Sequence, residues 1–154
     1  MSIDIYGNNP TSAKGGYFPT TAWEWRPLAT FLTTTYPELT RACTYWQSNN
    51  ADGLDAEGSV ALAAVLRRDL AGGEVARYAR ERKRRIAALP KVECIHCHGT
   101  GVRTVGHGDQ REVECNGCGG AGKVDHPATL YVFDQANVRA FATFLADCGG
   151  FQIR

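Results

Sequence analysis

The 154-residue sequence contains no run of about 18 consecutive apolar residues, so it predicts no helix that spans a bilayer. An excess of one charge is also missing. Seventeen Lys and Arg stand against sixteen Asp and Glu, net +1, which excludes a whole-chain electrostatic signature for nucleic acid or for a membrane surface. No Gly-Lys-Ser/Thr occurs, which excludes a Walker phosphate loop. No His is followed two residues later by Glu, which excludes the zinc-deaminase pattern. One Gly-x-Gly-x-x-Gly, at Gly117, Gly119 and Gly122, encloses Cys118 and opens no expected helix, so it is not a dinucleotide fingerprint. No motif supplies a nucleophile, a base and an oxyanion donor together, and the expectation is a protein that is not an enzyme. The stretch Met1 to Gly7 has neither the basic start nor the apolar run of a secretory leader; the expectation is a cytoplasmic protein that does not engage membranes.

What is present suits a globular chain. Hydrophobic residues make up 44% and charged residues 21%, too apolar for disorder, at a length suited to one domain or one domain with a small insert. Nine of the fifteen aromatics fall in the first 50 residues, so much of the core is expected there. Ile3 and Ile5 alternate with Asp4 and predict a strand to Tyr6. Gly7 through Gly16 reads as a loop. A helix is expected to start near Pro27, with Leu28, Phe31 and Leu32 as its stripe, and to stop at Pro37. A second runs from about Ala56 to Ala71, capped by Asp55 and ended by Gly72 and Gly73, with Leu62, Val65, Leu66 and Leu70 on one face. A third covers about Glu74 to Leu89, with Val75, Ala79, Ile86 and Leu89 as its core stripe. Asp134 caps a last helix from about Gln135 to Cys148, whose stripe is Val138, Phe141, Leu145 and Cys148. Phe151 to Ile153 read as a closing strand.

Four of the six cysteines form two Cys-x-x-Cys pairs, Cys94/Cys97 and Cys115/Cys118, with 17 residues between the pairs. Each pair puts two sulfurs on one side of a tight turn, and a hairpin joining the turns supplies four sulfurs for tetrahedral Zn2+. Val102 to Val105 and Gln110 to Glu114 are expected to form that hairpin, around Gly106 to Asp109 with His107 at its tip. The segment 92–124 has no aromatic residue. The glycines repeat as well: Cys94-Ile-His-Cys97-His-Gly99-Thr-Gly101 and Cys115-Asn-Gly-Cys118-Gly-Gly120-Ala-Gly122 are two copies of Cys-x-x-Cys-x-Gly-x-Gly. Glycine lets backbone N–H groups turn toward the thiolates, which offsets the net −2 of four thiolates around one Zn2+.

The same residues admit other readings. Cys94 to His98 matches c-type haem attachment, which needs export and leaves Cys115 and Cys118 unexplained. A redox Cys-x-x-Cys wants a helix after it, whereas both pairs run into glycines. A site of three cysteines and His98 is the minor alternative; His96 and His98 otherwise read as exposed loop residues, and His126 as part of a connector. Cys43 and Cys148 read as core thiols.

The two glycine-rich copies resemble the cysteine-rich domain of DnaJ-type co-chaperones, over about 30 residues. That resemblance implies an extended hairpin holding zinc. The co-chaperone domain has four repeats and two zincs; two repeats suffice for one. The His-Pro-Asp of the J-domain is absent. Ile5 to Pro10 and Trp23 to Leu28 resemble stretches of small phage and bacterial proteins, which implies a phage or mobile-element origin.

Between Glu74 and Lys91 seven basic residues face two acidic ones, and Arg77, Arg80 and Arg84, with Lys83 beside them, share a candidate face for an acidic partner. The bland reading is a solvated face with partial i,i+4 pairing.

Together these readings predict an α+β fold: a small, mostly helical core domain of residues 1–91 and 125–154, with a four-cysteine zinc β-hairpin inserted at 92–124. The expected cofactor is one structural Zn2+ on Cys94, Cys97, Cys115 and Cys118. The expected function is a non-enzymatic, zinc-stapled binding protein that acts on a host or partner protein. The alternative is a nucleic-acid-binding regulator that uses helix 74–91 and the zinc hairpin.

Overall fold

A computed structural model describes residues 2–106, 108 and 110–154. His107 and Asp109, expected in the hairpin turn, lie outside the described residues. The fold mixes helices with small antiparallel sheets. It divides into two compact units, Met1–Lys83 with Leu130–Arg154, and Arg84–Thr129.

In chain order the elements are β1 (Ser2–Gly7), α1 (Ala13–Gly16), β2 (Tyr17–Thr21), α2 (Ala22–Thr35), α3 (Pro37–Thr40), α4 (Ala56–Gly72), α5 (Glu74–Ala87), β3 (Val92–Glu93), β4 (Val102–Val105), β5 (Arg111–Glu114), β6 (Lys123–Val124), a 3₁₀ turn (Pro127–Leu130), α6 (Gln135–Asp147) and β7 (Phe151–Ile153). Among the described residues, no helix is long and apolar enough to cross a membrane.

In the first unit β1 is the middle strand of a sheet ordered β2-β1-β7, antiparallel to both neighbours. Ile3 and Ile5 point into the core, as their alternation predicts. Asp4 exchanges backbone hydrogen bonds with Arg154 at 2.9 and 2.7 Å, so its polar groups face the β7 side. Its partner across the sheet, Pro19, therefore turns its backbone nitrogen away from β1, toward the open edge. The far side of β7 bonds to Asp52 and Leu54, and Ala51 donates back to Ile153.

Sequence reasoning missed β2 and placed the start of α2 late. No element was expected over residues 17–26; Pro19 is tolerated within β2 because β2 is an edge strand. Helix α2 begins at Ala22. Thr21 is its N-cap, accepting from the Glu24 N–H at 3.3 Å, and the Glu24 carboxylate accepts from the Thr21 N–H at 3.1 Å, a full capping box. Pro27 lies inside the helix and is buried. The stretch Gly7 through Gly16 is not all loop, since Ser12 caps the short α1.

The caps of α4 and α6 are those expected. The Asp55 side chain accepts from Gly58 N–H and the Asp134 side chain from Ala136 N–H, and Gly73 ends α4 in the left-handed region. The α6 stripe Val138, Phe141, Leu145 and Cys148 is fully buried. The α5 stripe needs correction: Val75 is buried, Ala79 and Ile86 are half-buried, and Leu89 is exposed. Tyr78 is the residue of α5 that joins Val75 at the core, packing on Phe31 and Phe133. Ile86 and Leu89 belong to the second unit.

The core is aromatic. Trp25, fully buried, donates from its indole N–H to the Trp46 carbonyl at 2.6 Å, stacks on the Trp46 ring and meets Phe141 edge-on. Of the nine early aromatics, Phe18, Trp25, Phe31, Tyr36 and Trp46 are buried, while Tyr6, Tyr17, Trp23 and Tyr45 are exposed. Cys43 and Cys148 are buried, and burial pushes both thiols up, Cys43 to about 12, so neither is a reactive thiolate at neutral pH.

Thr40, Ser59 and Asp69 are the buried polar residues among those described, and Asp69 is the one that carries charge. The Asp69 carboxylate accepts from Tyr36 Oη and from Arg68 Nε, each at 2.7 Å. The Arg68 guanidinium holds the carboxyl below its usual range; burial opposes this and the Tyr36 hydroxyl reinforces it. A carboxyl lowered in the folded state contributes stability above its unfolded pKa of about 3.9, and that stability is lost as pH falls through the lowered folded value. The melting temperature is therefore expected to fall as pH drops from about 5 toward 3. Asp69→Asn should flatten that acid limb, read by thermal denaturation across the pH series. Trp25→Ala should cost about 3–5 kcal/mol by denaturant melt.

Candidate metal centre

The second unit has no aromatic residue, and its Ile, Leu and Val side chains are exposed or half-buried. Its only core cluster among the described residues is the cysteines themselves: Cys94, Cys97 and Cys115 are buried, and Cys118 and Val124 pack against them. Two short ladders frame the cluster. Strand β3, before the first cysteine pair, pairs with β6, after the second; β4, after the first pair, pairs with β5, before the second. A shift of 21 residues carries one half of this arrangement onto the other, as it carries Cys94 to Cys115 and Cys97 to Cys118.

The backbone repeats the same relation. Cys94 N–H donates to the Gly122 carbonyl at 2.9 Å, and Cys115 N–H to the Gly101 carbonyl at 2.8 Å. Each pair closes a turn, with Cys97 N–H on the Cys94 carbonyl and Cys118 N–H on the Cys115 carbonyl. The last glycine of each copy then donates to the second sulfur, Gly101 to Cys97 Sγ at 3.3 Å and Gly122 to Cys118 Sγ at 3.2 Å. Gly101 and Gly122 both have positive φ, 79° and 71°. A Cβ on Gly101 would collide with the Gly120 carbonyl oxygen, and one on Gly122 with that of Gly99. Only glycine meets both demands.

The sulfurs fit a tetrahedral ion. Cys94 Sγ and Cys115 Sγ are 3.8 Å apart, Cys97 Sγ and Cys118 Sγ 3.7 Å, and all four lie within 4.8 Å of one another. A regular tetrahedron with metal–sulfur bonds of about 2.3 Å has edges of about 3.8 Å. The four-cysteine cluster can thus hold a metal ion. Burial works against ionisation of Cys97, but the Gly101 N–H and the neighbouring thiols bring its pKa down to about 7. Its counterpart Cys118 goes up, through burial and through its contact with Cys97, although its Gly122 N–H works the other way. One thiolate is stabilised by the thiols that remain protonated, and an arriving cation displaces those protons.

The described histidines, His96, His98 and His126, stand outside the cluster. His96 and His98 are exposed, and His96 lies against Gly117. His98 has a φ of +49°, and its counterpart Gly119 has +54°. His126 Nδ1 accepts from the Ala128 N–H at 3.1 Å. The repeat reaches further back than the cysteines: Val92-Glu93 precedes Cys94 as Val113-Glu114 precedes Cys115. The side chains of Glu93 and Glu114 lie beside Gly99 and Gly120 in turn. That Val-Glu-Cys doublet was visible in the sequence and went unread.

The other candidate residues, Arg77, Arg80, Lys83 and Arg84, are exposed on α5. None of them makes an ion pair among the described residues, so the expected i,i+4 pairing with Glu81 does not form.

No protein-family model matches the chain, and no curated protein or solved structure is similar to it.

Gly101→Ala and Gly122→Ala are expected to weaken metal binding at least tenfold in competition with a chromophoric chelator, whereas Gly108→Ala, whose added Cβ meets open space, should leave it unchanged. His98→Gly should keep one metal per chain and stabilise the metal-loaded unit by about 1 kcal/mol, because it removes a non-glycine residue from the left-handed region. Loss of the metal in that variant would move His98 into the ligand set.

Proposed function

We propose that Cys94, Cys97, Cys115 and Cys118 hold one structural Zn2+ as a knuckle pair of the DnaJ type, and that the protein is a non-enzymatic binding protein whose partner is another protein. The observation that carries this reading is the closed donor set: four thiols at tetrahedral spacing, three of them buried. A catalytic zinc keeps three protein ligands and an open position, and four cysteine ligands leave none. The bound ion supplies metal–thiolate crosslinks in a unit whose only buried cluster among the described residues is its cysteines. The glycine N–H groups hold the sulfurs for it, and the β3–β6 and β4–β5 ladders hold the turns.

A protein partner is supported by Ile95. It sits inside the first Cys-x-x-Cys turn and is 77% exposed. A large apolar side chain presented on a stapled turn suits an anchor at a protein interface.

Elemental analysis of the purified protein is expected to give one zinc per chain; no metal, or stoichiometric iron, would refute the metal reading. Chelation should make residues 92–124 protease-sensitive while helical circular dichroism largely persists, because the aromatic core of the first unit contains none of the four ligands. Ile95→Asp should keep the zinc and abolish capture of the partner protein in a pull-down.

A further inference from the structure

Helix α5 carries a row of cations, of which Arg77 borders a small cleft it shares with Asp69, Glu74 and Glu81. Arg77, Arg80 and Lys83 all lie in the first unit and all are exposed. At 100° per residue they fall within an arc of about 120°, and the buried Val75 points away from it. None of the three makes an ion pair among the described residues, although Glu81 stands four residues beyond Arg77. Like charges three residues apart repel and weaken a helix. The helix dipole accounts for Arg84 and Arg85 in the last turn, and leaves Arg77 and Arg80 unexplained.

We propose that this face binds the phosphate backbone of nucleic acid without reading base sequence. Three cations over six residues span about 9 Å of helix, the axial rise of between two and three phosphates on one duplex strand. The arc favours a polyanion over an acidic protein because it offers no anchor. Within the first unit its remaining residue is Ala76, with none of the aromatic side chains that dominate protein interfaces. It carries no Asn or Gln for bidentate contact with adenine, so the cations serve positioning rather than base readout. The small Ala76 lets the helix approach a phosphate chain closely. This inference is independent of the metal: none of its residues is a zinc ligand.

The test is fluorescence anisotropy of the zinc-loaded full chain with a labelled 20-base-pair DNA duplex of arbitrary sequence. Binding is expected at about 50 mM salt, with a slope of log affinity against log salt near about −2.7 for three phosphate contacts. Arg77→Gln/Arg80→Gln/Lys83→Gln should weaken it more than tenfold and flatten the slope, with unchanged circular dichroism and zinc content. Arg77→Lys/Arg80→Lys/Lys83→Arg, which keeps all three charges, should retain it. Equal binding to a second duplex of unrelated sequence is expected. No binding by the wild-type chain at 50 mM salt overturns the proposal, as does undiminished binding by the Gln variant or binding confined to an acidic protein. A protein that binds zinc but no duplex refutes this proposal alone; one that binds duplex but no zinc refutes the metal reading alone.

Discussion

Two glycines without room for a Cβ set the geometry of the four-cysteine unit. Gly101 and Gly122 each lie against a backbone carbonyl of the opposite copy. Each of these two glycines accepts, through its own carbonyl, from the first cysteine N–H of the other copy, while its N–H reaches the second sulfur of its own. The ladder pairing, the sulfur spacing and the burial of three thiols are consistent with this backbone lock. It also addresses charge. Four thiolates around a divalent cation leave −2 in a poorly solvated place, and directed N–H dipoles offset it without adding a side chain.

The first unit solves a different problem. It has enough aromatic and aliphatic surface to exclude water, and it organises that surface around Trp25, whose one polar atom finds the Trp46 carbonyl. The second unit is too small and too polar for the same solution, which is the situation in which small folds recruit a metal. Removing one cysteine and removing one core aromatic therefore act on separate units, the four-sulfur cluster in one and apolar burial in the other.

Much of this was legible in the sequence where one local rule dominated. The helices α4 and α6 declare themselves by a capping Asp, a one-sided apolar stripe and terminal glycines. The cysteine and glycine spacing pointed to a four-sulfur site, and the structure brings those four sulfurs together. Legibility failed where two rules competed. Pro19 inside Tyr17 to Thr21 masked an edge strand, and Pro27 drew the start of α2 five residues too far along, although Thr21 and Glu24 spelled out a capping box. For α5, the apolar periodicity was real but only Val75 is buried, because which end of a helix meets a core is a tertiary fact that periodicity does not encode. The cross-copy bonds between Cys94 and Gly122 and between Cys115 and Gly101 join residues far apart in the chain, and no local pattern announces them.

The proline on β2 has a consequence for how these molecules behave when crowded together. A sheet grows into fibrils by offering a row of free amide hydrogens to the next chain. Here the outward position at the centre of the β2 edge is Pro19, which has no amide hydrogen to offer, and the other side of the sheet is already bonded to residues 51–54. A fourth strand from a neighbouring molecule finds an interrupted template on one side and an occupied one on the other. Replacing Pro19 with a β-branched residue would restore the missing donor and open a route to edge-to-edge aggregation, without altering any residue of the core.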